Sequence, residues 1–280
     1  LVDARPMLWA GFAVLLAITA SGEISAALAR DTGIAVSHMT VSLYLVAACF
    51  LFATFIAKEP EKHTRLVLNA YVLTGIIAAL CGVAGYLNLF PGAFDLFTRY
   101  GRASGPFKDP NVFGPFLVAP LLMCLHVWLN APMRRGVLPL LAAGLLAVGI
   151  LFSFSRGAWA AAAIALTIYG YVYMITAHSN RERVKLAALV LVGIAALGMI
   201  LIAALQSDAI SGLLEQRATL TQSYDVGPDG RFGGQAKAIG LILDNPLGIG
   251  SAKFTRFYHH EEVHNVYLSM FLNSGWIGGL

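Results

Sequence analysis

Residues 137–177 read VLPLLAAGLLAVGILFSFSRGAWAAAAIALTIYGYVYMITA. Two apolar runs, 137–153 and 158–177, flank a short break that carries one charge, Arg156. Each approaches the roughly 20 residues that a helix needs to cross a hydrocarbon core about 30 Å thick. Backbone N–H and C=O groups find no water at that depth, so each run must satisfy them within itself, as a helix. Leu140 to Leu151 does not alternate apolar with polar residues, which argues against a membrane barrel.

Working outward, the same criterion marks 7–20, 40–57, 66–90, 110–129, 186–206 and 263–280. The 280-residue chain is 58% hydrophobic and 12% charged, against about 25% charged for an ordinary soluble domain. That excludes a disordered chain, a collagen-like chain and a cytosolic enzyme of normal composition. Cys49, Cys81 and Cys124 lie in apolar runs without CxxC spacing, so they read as small hydrophobes, not as a disulfide framework or a zinc knuckle. The expected fold is all-α: a polytopic transmembrane helical bundle of about eight spans. Residues 1–206 hold spans and short cytoplasmic loops, 207–262 form a large helical extracytoplasmic loop, and 263–280 start a further span. Leu1 at one end and an apolar run ending at Leu280 read as cuts in a longer membrane protein.

Charge assigns the two sides. With alternating spans, one side holds 1–6, 58–65, 130–136 and 178–185, which carry nine of the 19 Lys and Arg in 29 residues. The other side holds 21–39, 91–109, 154–157 and 207–262, with ten Lys and Arg in 98 residues and eleven of the fifteen acids. The denser side is cytoplasmic by the positive-inside rule. The long loops then face outward, where extramembrane function is expected. The net charge of +4 comes without a basic stripe interleaved with aromatics, so no nucleic-acid partner is expected.

Three outer segments carry candidate chemistry. Pro91 to Pro110 contains Arg99, Arg102 and Lys108, then Asp109-Pro110-Asn111, an N-cap followed by proline at the first helical position. FSFSRG, 152–157, places Arg156 at a membrane boundary, where a charge is costly unless it meets a partner or water. The third is 207–262. Ile210, Leu213, Leu214 and Ala218 recur at helical spacing, as in a helix lying on the membrane surface. Gly227, Pro228 and Gly230 mark a turn, and Arg231 to Leu243, with Gln235 and Lys237, reads as a second helix stopped by Asn245-Pro246. GIGSAKF, 248–254, lacks the preceding strand and the GK[ST] of a phosphate loop.

The segment closes on His259-His260-Glu261-Glu262-Val263-His264-Asn265. Two chemistries are open here. His260-Glu261-Glu262-Val263-His264 matches HExxH, so on one helix His260 and His264 could share a zinc ion with Glu261 as base, the arrangement of a membrane metalloprotease. Alternatively, His264 alone acts as a base on a hydroxyl, while Arg156, Arg231 and Arg102 stabilise charge on an anionic leaving group. A transporter would use Arg156 as an anion site or gate, but no convincing repeat relates the halves.

Four stretches, in order, carry a resemblance: RASGPFKDPNVFGPFLVAPLL (102–122), FSFSRGAWAAAAIAL (152–166), RFGGQAKAIGLILDNPLGIGSAKF (231–254) and HNVYLSMFLNSGWIGGL (264–280). Together they resemble the O-antigen ligase and polymerase family, bacterial membrane proteins that join lipid-linked glycans outside the inner membrane. Residues 1–90 match only as apolar spans. The resemblance implies a metal-independent, cofactor-free, multi-pass glycosyltransferase of the inner (plasma) membrane with its active site facing the periplasm. It implies a polyprenyl-diphosphate-linked glycan donor and a lipid or glycan acceptor. The family's essential histidine falls on His264, its SRG arginine on Arg156 and its large-loop arginine on Arg231. Arg102 and Asn111 match the earlier motif and, with Lys108, Lys237 and Asn265, form the candidate substrate-binding set. The acidic residue common near position 273 is here Asn273.

Overall fold

A computed structural model describes residues 9–17, 19–20, 32–177, 179–205, 227–250 and 253–280. The described chain is almost entirely helical. In order it contains α1 (Thr32–Lys58), α2 (Pro60–Tyr86), α3 (Ala93–Phe97), β1 (Thr98–Arg99), β2 (Arg102–Ala103), α4 (Pro110–Asn130), α5 (Met133–Phe152), α6 (Arg156–Thr176), α7 (Asn180–Leu205), α8 (Arg231–Asp244), a π-helical turn (Phe254–Tyr258) and α9 (Val266–Gly279). Residues 9–17 and 19–20 are also helical.

Among the described residues, four helices are long and apolar enough to cross a membrane: Thr40–Lys58, Pro60–Tyr86, Pro110–Asn130 and Arg156–Thr176. They coincide with the expected spans 40–57, 66–90, 110–129 and 158–177. Gly136–Phe152 is apolar but shorter, and α9 has 14 residues where a span over 263–280 was expected.

The basic connections are shorter than hydropathy marks them. Only Glu59 separates α1 from α2, and only Ala131 and Pro132 separate α4 from α5. Helical hydrogen bonding runs through charged residues as readily as through apolar ones, so hydropathy marks the membrane limit and not the helix limit. The stretch 91–109, expected as a loop, contains α3 and a minimal hairpin pairing Thr98 with Ala103 and Arg99 with Arg102. Its two turn residues, Tyr100 (φ 55) and Gly101 (φ 69), have the positive φ of the tight hairpin turn that matches strand twist. Residues 206–226, including the expected surface helix at Ile210, Leu213, Leu214 and Ala218, lie outside the described residues.

The chain divides into two compact units, Leu1–Thr64 with Thr219–Leu280, and Arg65–Ala218. In the second, Phe113, Leu117 and Leu146 are fully buried at the centre of a core formed by α2, α4, α5 and α6. Small residues let these helices approach, as is common between membrane helices. A Cβ on Gly82 would lie 2.5 Å from Phe113 Cζ, and one on Gly114 would lie 2.6 Å from both Ala158 Cβ and Ser153 Oγ.

In the first unit, α8 and α9 pack around Ala238, Ile249, Phe254, Val263 and Leu272. Gly275 (φ 68) kinks α9, and the end of α8 with the segment after it fills the gap: Trp276 N donates to Pro246 O at 2.8 Å, Ile249 N to Leu272 O at 2.8 Å, and Trp276 Nε1 to Ile242 O at 2.9 Å. A Cβ on Gly275 would sit 2.5 Å from Pro246 O. The kink and the close approach therefore require glycine.

Candidate active site

The sequence-derived residues fall into two sets, one in each unit. In the unit Arg65–Ala218, α5 ends at Phe152 and α6 starts at Arg156. Ser153 Oγ donates back to Ile150 O at 2.6 Å, and Ser155 Oγ caps α6 by accepting from Ala158 N at 3.3 Å. Phe154 between them takes a left-handed φ of 44°, a conformation costly for a bulky residue. All three are buried. The turn leaves Arg156 half-buried at the first position of α6.

Arg102 holds this turn. It is only 5% exposed, and its Nε donates to Ser153 O at 2.7 Å while Nη2 donates to Asn111 Oδ1 at 2.9 Å. A buried guanidinium is tolerated when its donors are spent in this way. Asn111 is itself fixed, because Asp109 caps α4 by accepting from Asn111 N at 2.7 Å, with Pro110 at the first helical position as its sequence required. Arg102, Asn111 and the FSFSRG turn thus form one polar cluster, while Lys108 is exposed. At the other end of α4, Lys185 Nζ donates to Leu129 O at 3.2 Å and Ala131 O at 3.0 Å, as cations do at helix C-termini. Loops 91–109 and 154–157 therefore share one end of this unit. The connections around 131 and 185 share the other, as alternating spans require.

In the first unit, Gly230 caps α8 and Arg231 opens it. Arg231 Nη2 donates to His264 O at 3.2 Å, and one turn later Gln235 Nε2 donates to Val263 O at 3.3 Å. Val263 is buried, so the chain entering His264 is anchored by both a side chain and its backbone. His264 has a left-handed φ of 52°. Asn265 then caps α9, its Oδ1 accepting from Tyr267 N at 3.0 Å and Leu268 N at 3.2 Å, which commits the oxygen of this candidate substrate ligand. Lys237 lies exposed on α8.

Behind this segment His259 is 7% exposed. Its ring lies against Gly234, stacks on Phe254 (5.8 Å) and His260 (4.7 Å), and its Nδ1 accepts from Glu261 N at 3.2 Å. Arg231 Nε and His259 Nε2 are buried without a hydrogen-bond partner among the described residues. Such donors cost about 1–3 kcal/mol each.

The zinc reading needs a helix that the structure does not form here. Residues 260–264 are not helical, and His264 departs from helical backbone altogether. The HExxH arrangement needs both histidines on one helical face. Among the described residues no group of three His, Cys, Asp or Glu side chains is placed to hold a metal ion.

Sequence reading missed the roles of Gln235, the Ser153 carbonyl and the 98–103 hairpin. Tyr100-Gly101 between two short polar runs was the one local signal for the hairpin. Nothing in sequence flags a carbonyl acceptor 51 residues from its donor.

Comparison with curated proteins and with solved structures returns no match. A family model described as O-antigen ligase matches residues 141–280. That half of the chain contains Arg156 and its capped turn, Arg231 at the start of α8, and His264 held by Arg231. A membrane-helical chain with this match over half its length belongs to the O-antigen ligase family.

Proposed function

We propose that the chain transfers a glycan from a polyprenyl diphosphate to an acceptor hydroxyl on the periplasmic face of the inner membrane. The observation that carries this reading is the bond from Arg231 Nη2 to the carbonyl of His264, inside the family-matched half. It ties a cation suited to a diphosphate to the backbone of a residue whose imidazole suits a hydroxyl proton.

In this mechanism the acceptor oxygen attacks the anomeric carbon as its proton passes to His264. The bond from that carbon to the diphosphate oxygen breaks, and the electron pair leaves with the diphosphate. Arg231 stabilises the charge that develops there, the task for which guanidinium geometry suits phosphate oxygens, and Arg156 is the second cation that the family resemblance offers the donor. One in-line displacement inverts the anomeric centre. Arg102 and Asn111 act by holding the turn that presents Arg156, and Lys108 and Lys237 add positive field. No metal takes part in any of these steps.

Protein reconstituted in liposomes with a lipid-diphosphate-linked glycan and its acceptor is expected to form the joined product at an undiminished rate in EDTA. Absence of product, or its loss with chelator, overturns the reaction or its metal independence respectively. Sidedness has its own test. In a protein with Cys49, Cys81 and Cys124 replaced by serine, the exposed position in Asp229→Cys is expected to react with a membrane-impermeant maleimide once the outer membrane alone is permeabilised. Labelling only after the inner membrane is opened would place α8 in the cytoplasm and end this reading.

A further inference from the structure

Glu261 stands apart from the residues assigned above. Its Oε2 lies 3.7 Å from His264 Nε2, and its Oε1 lies 3.9 Å from His260 Nε2. Both ends of the pair are held. On one side the Glu261 backbone N–H is fixed on the buried ring of His259, which packs against Gly234 of α8. On the other, Arg231 and Gln235 of the same helix grip the His264 and Val263 carbonyls. Consecutive turns of α8 therefore set where a carboxylate and an imidazole meet, and the left-handed backbone of His264 belongs to that constraint.

We propose that Glu261 is the positioning residue of His264, a carboxylate that orients the imidazole and stabilises the positive charge it gains on taking the acceptor proton. This deepens the transfer reading above and rests on His264 being its base. The carboxylate neither takes the proton nor touches substrate. It plays the part of the third group in a nucleophile–base–carboxylate arrangement. The contact is slightly longer than a hydrogen bond and partly open to water, so it closes fully as the imidazole becomes charged. His260, at a similar distance, is a second claimant on the same carboxylate.

The test compares Glu261→Gln, Glu261→Asp and His264→Ala in the liposome transfer assay, with kcat and donor KM measured separately. Gln keeps the size of the side chain and removes its charge, while Asp keeps the charge and shortens the reach. Glu261→Gln is expected to lower kcat about 10- to 30-fold, a modest value for a half-exposed pair, with KM unchanged. Glu261→Asp is expected to retain more activity than Glu261→Gln. A merely structural role predicts the opposite order, because the isosteric amide would be tolerated and the shorter acid would not. Wild-type kcat in Glu261→Gln, or Asp falling below Gln, with His264→Ala inactive, overturns the role of Glu261 and leaves the base assignment standing. Full activity in His264→Ala overturns both.

Discussion

His264→Ala is expected to lower glycan transfer by about 10²- to 10⁴-fold, the range for loss of a positioned general base. The fall is expected in kcat, with donor affinity nearly kept, because the proposed mechanism uses the imidazole on the acceptor hydroxyl and not on the diphosphate. The backbone at this position is expected to survive. Arg231 and Gln235 bond the carbonyls of residues 264 and 263, and Asn265 caps α9, none of which needs the imidazole. Alanine does lose the tolerance that polar residues show for left-handed backbone, at a cost of about 1–2 kcal/mol. His264→Asn separates the two effects, since asparagine accepts that conformation but is no base at neutral pH. Both variants are expected to be inactive. Asn at wild-type kcat would mean that conformation, and not proton transfer, is what this position supplies.

Arg231→Ala is expected to lower kcat by about 10²- to 10³-fold, as removal of one donor to a developing oxyanion does. The proposed mechanism gives this residue two functions. Its guanidinium is the cation assigned to the diphosphate, and one of its nitrogens positions His264 through the 3.2 Å bond to the carbonyl. Arg231→Lys keeps a point charge and loses the planar fork, so it is expected to fall between wild type and Arg231→Ala. Arg156→Ala, measured beside it, is expected to weaken the donor side. Wild-type transfer in both alanine variants would remove the arginines from the mechanism.

Much of the candidate site was legible because its signals are local. Asp109-Pro110 announced the start of α4 through capping chemistry that depends on two adjacent residues. Asn245-Pro246 marked the end of α8 in the same way. Arg156 stood out because a lone charge between two apolar runs is expensive wherever those runs go. HExxH failed for the complementary reason. A five-letter pattern implies a metal pair only if the backbone is helical, and here the anchoring of Val263 and the cap at Asn265 accompany a non-helical approach that the five letters do not encode.

The amino-acid order alone determined that this chain is helical and membrane-bound, and it determined the family. Burial of apolar runs, helix caps and ordered motifs depend only on residues near one another along the chain. Packing decided that Arg102 serves the turn at Ser153, that Arg231 reaches the carbonyl of His264, and that the Glu261 carboxylate lies beside that imidazole. Such partners lie tens of residues apart or on non-helical backbone. The directions in which their hydrogen bonds point exist only once the helices have closed on each other.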